Sequence, residues 1–112
     1  MSRYILRFRK INKDTFDFIK KGVKKVETRA ATKRYKNINK GDTLIFVCGK
    51  GYFSRKIRQV KHFKSIDALA RTYPVKKVMP QEKTLSGMKK KYYSFPGYRQ
   101  KINQFGLLAF EV

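Results

Sequence analysis

Gly22-Val23-Lys24-Lys25-Val26-Glu27-Thr28-Arg29, closed off downstream by Gly41-Asp42, is the stretch on which the fold reading turns. Lys20-Lys21-Gly22 reads as the end of a helix, with basic residues in the last turn and a glycine free to take the left-handed cap. The residues after Gly22 alternate apolar and charged, which predicts a strand over Val26–Ala30 with Lys25, Glu27 and Arg29 on one face and Val26 on the other. Lys24 and Glu27 differ by three, so plain strand alternation separates them. They converge only if Lys24 leaves the turn at an angle. Glu27, one of seven carboxylates in the chain, is here set among bases. Such an acid is either an exposed ion pair, worth about 0–1 kcal/mol, or part of a site.

On the N-terminal side, Tyr4–Arg9 alternates as a first strand, with Tyr4, Leu6 and Phe8 on one face. Asn12 or Asp14 then caps a short helix running to Lys21, with Phe16 and Ile19 turned inward. On the C-terminal side, Ala31–Lys40 is a basic polar loop containing Lys33, Arg34 and Tyr35. Gly41-Asp42 is a turn into Thr43–Cys48, a nearly continuous apolar run expected to be a buried strand. Gly49-Lys50-Gly51 reads as a hairpin connection. Tyr52–Phe63 reads as one long strand whose alternation slips, which a bulge near Arg58-Gln59 would reconcile. Ser65 caps a second helix that ends by Tyr73, ahead of Pro74. Val75–Lys83 is irregular, Thr84 starts a third helix to about Tyr93, Ser94–Gly97 is a turn, and Gly106–Val112 is the last strand. The order of elements predicts an α+β domain over residues 1–112: a small mixed β-barrel of about five strands with two or three peripheral short helices.

Composition narrows the partners. With 29 Lys and Arg against 7 Asp and Glu, the formal net charge is +22. Such an excess repels itself in a compact state and makes sense beside a polyanion. Nucleic acid is the first candidate. An anionic membrane would rest on charge alone, because no apolar run approaches the roughly 18 residues of a spanning helix and Met1-Ser2-Arg3-Tyr4 lacks a signal peptide's apolar core. Nine Phe and seven Tyr, with 41% hydrophobic residues, argue against a disordered tail. A single cysteine, Cys48, excludes an internal disulfide and points to a reducing compartment, so a cytoplasmic location.

Histidine chemistry is confined to His62, and no metal-ligand cluster, glycine-rich phosphate loop or HExxH pattern is present, so neither metal nor cofactor is expected. Any catalysis falls to lysine, carboxylate and hydroxyl groups. Asp14, Asp17 and Asp67 sit at helix starts, Asp42 sits in a turn, and Glu111 pairs with a basic neighbour on the last strand. Glu27 and Glu82 are left without a structural task. A second patch, Lys89-Lys90-Lys91-Tyr92-Tyr93-Ser94-Phe95-Pro96-Gly97-Tyr98-Arg99, interleaves cations and rings. That is the combination single-stranded nucleic acid binding uses, phosphates on cations and bases on rings at about 1–3 kcal/mol per stacked base. The plain alternative is that Tyr92, Phe95 and Tyr98 are core aromatics solubilised by lysine.

The helix ending at Gly22, the Lys24-x-x-Glu27-x-Arg29 strand and the Gly41-Asp42-Thr-Leu-Ile-Phe run resemble the ASCH domain of the PUA-like superfamily. The late Leu107-Leu-Ala-Phe-Glu-Val112 strand extends that order over nearly the whole chain. The resemblance implies a PUA-like barrel with a cleft for RNA or a modified nucleoside. RNA is the implied partner, in single-stranded or structured form, and a monomer is the favoured state. Small members of the family look like amidohydrolases of N4-acetylcytidine that use a lysine, a threonine and a glutamate. Lys24 matches the lysine and Glu82 the distal glutamate, while the threonine position falls on Glu27. Thr28 is adjacent but is expected to face away. Other relatives resemble ribonucleases or coactivator modules. Three functions stay open: RNA binding through Lys24, Lys25, Glu27, Arg29, Lys33, Arg34 and Tyr35 with Lys89, Lys90, Lys91, Tyr92, Tyr93, Tyr98 and Arg99, hydrolysis through Lys24, Glu27 and Glu82, or a protein-interaction module of the coactivator kind, which a charge of +22 disfavours unless the partner is acidic.

Overall fold

A computed structural model describes all 112 residues. Six strands and five helices follow one another as β1 (Arg3–Arg7), α1 (Lys13–Lys20), β2 (Val26–Ala30), β3 (Thr43–Cys48), β4 (Gly51–Lys56), β5 (Gln59–Phe63), α2 (Ile66–Thr72), α3 (Val75–Val78), α4 (Leu85–Ser94), α5 (Tyr98–Phe105) and β6 (Leu107–Glu111). The two strongest apolar runs become the two central strands, β3 and β6. Leu44, Phe46 and Cys48 of β3 are buried, and β3 pairs in parallel with β1 and antiparallel with β4. In β6, Leu107 to Phe110 are all buried between antiparallel neighbours β2 and β5.

Alternation along β6 divides the interior into two cores. Leu107 and Ala109 point to a core shared with α2, α3, α4 and α5, where Leu69, Met88, Tyr92 and Ile102 pack. Leu108 and Phe110 point the other way, to Leu6, Phe16, Ile19, Leu44 and Phe46. The β2-β6-β5 sheet is therefore a middle layer, with helices over one face and the β1-β3-β4 sheet over the other.

The expected α+β class is what the chain adopts, but its strands pair as two three-stranded sheets, and their ladders do not close into a five-stranded barrel. The expected long strand Tyr52–Phe63 is two strands in different sheets. At the junction, Ile57 keeps to the first sheet by exchanging backbone bonds with Gly41 and Asp42, whereas Arg58 N–H donates to Glu111. The alternation slip marks that change of sheet rather than a bulge. Five helices replace the expected two or three. The one-turn α3 lies within the segment expected to be irregular, and α5 occupies the stretch between the expected turn at Ser94–Gly97 and the last strand, to which no element was assigned.

Two of the expected caps form, whereas at the start of α1 Asn12 makes no side-chain cap bond and Asp14 lies inside the helix. Ser65 Oγ accepts from Ala68 N–H and Thr84 Oγ1 from Gly87 N–H, each a side chain taking up an orphan donor of the first turn. Gly22 ends the first helix with φ +78°. The next two residues fold back, with Val23 and Lys24 N–H both donating to Phe18 O. This return sets the angle at which Lys24 enters β2.

Candidate nucleic-acid binding cleft

Strand β2 is an edge strand, paired only with β6, and its outer backbone groups are met by side chains instead of another strand. Lys24 Nζ donates to Val26 O, Glu27 Oε1 accepts from Thr28 N–H at 3.0 Å, and Tyr98 hydroxyl accepts from Ala30 N–H at 3.4 Å. A cavity of about 220 Å³ opens along this edge. Its floor is β2 (Glu27, Thr28, Arg29), its walls are Phe8, Tyr92, Phe95 and Tyr98, and basic residues Arg7, Arg9 and Lys91 also line it.

Lys24 and Glu27 do converge, with Nζ 3.4 Å from Oε1, and both residues are 4% exposed. Lys24 Nζ also donates to Val26 O at 2.6 Å and to Val78 O at the end of α3. Two backbone carbonyls take two of the three N–H bonds of the ammonium, and the Glu27 carboxylate neutralises its charge. Burial lowers the Lys24 pKa, against the pull of Glu27. The other carboxylate oxygen of Glu27 lies 3.3 Å from the Arg29 guanidinium. Burial works against the Arg29 charge, but Glu27 and Tyr35 outweigh it and hold its pKa up. Its guanidinium carbon sits 5.0 Å from the Phe8 ring centroid and 5.7 Å from that of Tyr35, a cation–π arrangement that fixes its plane.

Thr28 corrects the expectation that it faces away. It is buried, lines the cavity and shares a short hydroxyl–hydroxyl bond with Tyr92. In such a pair only one O–H donates to the other, so one proton remains for a further acceptor. Tyr92 itself is a core residue as well as a wall, which merges the two alternatives that its sequence context left open.

The remaining candidates separate. Tyr35 touches Arg29, with Nη1 donating to its hydroxyl at 3.4 Å, whereas Lys33 and Arg34 are exposed on the loop and do not line the cavity. Lys25 is exposed and outside it as well. Lys89 pairs with Asp67 at 2.9 Å, and Lys90 is exposed. Tyr93 and Arg99 line a neighbouring groove with Phe95 and Tyr98, the guanidinium lying 4.1 Å from the Tyr93 centroid. Glu82 does not reach the cavity. Its carboxylate packs beside Gly87 at the start of α4, where a methyl group on Gly87 would meet Oε1 at 2.6 Å. Gln81 lines the cavity in its place, a residue that sequence reasoning misses because an amide carries no titratable signal. Glu111 has a tyrosine for partner rather than a base, accepting from the Tyr73 hydroxyl. No group of three or more His, Cys, Asp or Glu comes together that would hold a metal ion, and no helix is long and apolar enough to cross a membrane.

The cavity walls make stability pH-dependent. Burial pushes the Tyr92 and Tyr98 phenols above their ordinary value of 10.0, in Tyr92 against the bond from Thr28 and in Tyr98 against Arg29. A phenol kept neutral in the fold binds more protons than its unfolded counterpart above pH 10. Stability is therefore intact below about pH 10 and falls as pH rises beyond it, by at most about 1.4 kcal/mol per pH unit for each such group. Lys24 acts with the opposite sign: its lowered pKa costs stability at lower pH, and that cost is relieved as pH rises toward 10.5. Tyr92→Phe is expected to make the alkaline decline shallower by close to one proton, read from denaturant unfolding between pH 9 and 11. An unchanged slope would mean that Tyr92 ionises freely in the fold.

No family model matches the chain, and no curated protein does. Two solved structures share its fold. The crystal structure of hypothetical protein PH0355 superposes with a TM-score of 0.84 at 23% identity, covering 99% of this chain and 96% of that one. The solution NMR structure of protein PF0455 from Pyrococcus furiosus superposes with a TM-score of 0.76 at 20% identity, covering 97% and 94%. These likenesses concern the fold alone.

Proposed function

We propose that this protein is an ASCH-type, PUA-like RNA-binding domain that takes a base of single-stranded RNA into the cleft beside β2. One observation carries the reading. A single cavity combines aromatic walls, a buried carboxylate between two cations, and the basic residues Arg7, Arg9 and Lys91. A nucleotide needs each of these: rings to stack its base, a polar group to read the base edge, and cations for its phosphate. Glu27 Oε2, held by Arg29 alone, has lone-pair capacity left for a base N–H. The chain's formal charge of +22 supplies the long-range attraction.

The hydrolase reading has two observations on its side, the Thr28 hydroxyl in the same cavity and the burial that lowers the Lys24 pKa. Against it stand two others. Lys24 is bonded to two backbone carbonyls and paired with Glu27, and a lysine acting as base or nucleophile must first leave them. Gln81, an amide that neither gives nor takes a proton near neutral pH, lines the cavity where an acid was expected.

Binding of purified protein to single-stranded RNA, duplex RNA and duplex DNA across a salt series separates these readings. With about six phosphate contacts, log affinity for single strands falls against log salt with a slope near −4. Binding is expected to prefer the single strand and to leave the RNA intact with no free nucleoside released. A flat salt response would overturn nucleic-acid binding, and cleaved RNA or an altered nucleoside would establish the enzyme.

A further inference from the structure

Gln81 Oε1 is the one buried side-chain oxygen or nitrogen in the chain with no protein hydrogen-bond partner. Its amide orientation is fixed by the other end. Nε2 donates to Thr15 Oγ1 at 3.0 Å and lies 3.4 Å from Asp14 Oδ2, both on α1. The reversed amide would set oxygen against the Asp14 carboxylate, two acceptors with no proton between them. The free oxygen is therefore an acceptor in fact, and Gln81 lines the same cavity as Glu27. An unpartnered buried acceptor costs about 1–3 kcal/mol, which makes its placement beside a ligand cavity a signal rather than an accident of packing.

Glu27 and Gln81 both line the cavity, each with an oxygen that has remaining acceptor capacity (Glu27 Oε2 and Gln81 Oε1), and the cationic groups of that cavity are Lys24, already bonded to two backbone carbonyls, Arg29, and the basic residues Arg7, Arg9 and Lys91. A ligand that answers this pattern carries two N–H donors at its inner end and negative charge at its outer end. The exocyclic amine of cytosine or adenine has two N–H bonds on one nitrogen. In uracil or hypoxanthine a carbonyl oxygen stands at that position and would meet the two acceptors without a proton. We propose that Gln81 is a specificity-determining residue of the cleft, selecting amine-bearing bases over their carbonyl counterparts. This rests on the nucleotide reading of the cleft. A site built to accept from a donor rejects the analogue lacking it because its own buried groups then go unpaired.

The test titrates the full chain with cytidine and uridine monophosphates, and with the monophosphates of adenosine and inosine. The amine-bearing member of each pair is expected to bind about tenfold more tightly. Gln81→Met, similar in length and without the amide, is expected to reduce that ratio below about threefold while the salt slope for single-stranded RNA stays as it is. In the unaltered protein, the Gln81 side-chain amide resonances are expected to shift on adding cytidine monophosphate and to stay in place with uridine monophosphate. That readout does not depend on any variant folding. Equal affinities within each pair, or a ratio unchanged in Gln81→Met, would overturn the proposal while leaving RNA binding intact. Failure of every nucleotide and every RNA to bind would overturn the reading of the cleft together with it.

Discussion

Glu27→Ala is expected to lower the unfolding free energy by about 3–5 kcal/mol, the usual cost of removing one partner from a buried ion pair. Lys24 and Glu27 side chains are 4% and 5% exposed, so the ammonium left behind has no water to replace the carboxylate. Arg29 loses its partner at the same time, and Thr28 N–H loses the acceptor that covers the free edge of β2. Glu27→Gln, which keeps an oxygen for Thr28 N–H, is expected to cost less than the alanine. Denaturant unfolding of the two variants checks the order. A loss below about 1 kcal/mol for the alanine, the range of a surface pair, would mean that the Lys24–Glu27–Arg29 group is solvated and that no enclosed site exists there.

Gly106→Ala is expected to lose about 2–6 kcal/mol, adding the cost of a backbone region closed to side chains to that of a forced contact. Gly106 has φ +79° and ψ −168°, between the end of α5 and the start of β6. A methyl group there would meet Phe63 O at 2.5 Å and His62 Nε2 at 2.8 Å. The backbone oxygen has no room to withdraw, because Phe63 is paired with Leu107 in the ladder. His62, whose Nε2 is 2.8 Å from Phe105 O, is held there too, which accounts for the lone histidine as a structural residue. Gly49→Ala is the control: φ is +59° but nothing lies within 4 Å of the added carbon. Its cost is expected to be about 1–2 kcal/mol, from the left-handed backbone alone. Similar losses at the two positions would contradict the packing described around Gly106.

What is legible in the sequence is local. Thr43–Cys48 and Val26–Ala30 announce themselves as strands by an apolar run and by alternation, and Ser65 and Thr84 announce helix starts by hydroxyls at the cap. The division into two sheets is hidden, because Ile57 and Arg58 differ only in which distant backbone they bond. Helix α5 is hidden for another reason. Tyr98–Phe105 starts at Gly97 with no side chain capping it, and although Tyr98, Ile102 and Phe105 stand at helical spacing, three apolar positions without a cap signal make a weak mark and only Ile102 is fully buried. In the cleft, Lys24, Glu27 and Arg29 are found by their charges. Thr28 escapes because strand alternation describes the faces of a strand, and the cavity runs along its edge. Glu82 draws attention away from Gln81, since the turn in which Glu82 N–H donates to Met79 O decides which of the two side chains enters, and no residue type records that.

Whether the cleft beside β2 holds an RNA base is read most plainly from an NMR titration of the uniformly labelled protein with a short single-stranded RNA at moderate salt. Resonances at Arg7–Arg9, Lys24–Arg29, Met79–Gln81 and Lys91–Tyr98 are expected to shift together and to saturate with one affinity, while the exposed lysines of the opposite sheet, such as Lys50 and Lys56, stay near their free positions. Shifts spread evenly over surface lysines, with none at Glu27, Thr28 or Gln81, would mean that charge alone attracts RNA and that the cleft binds no base.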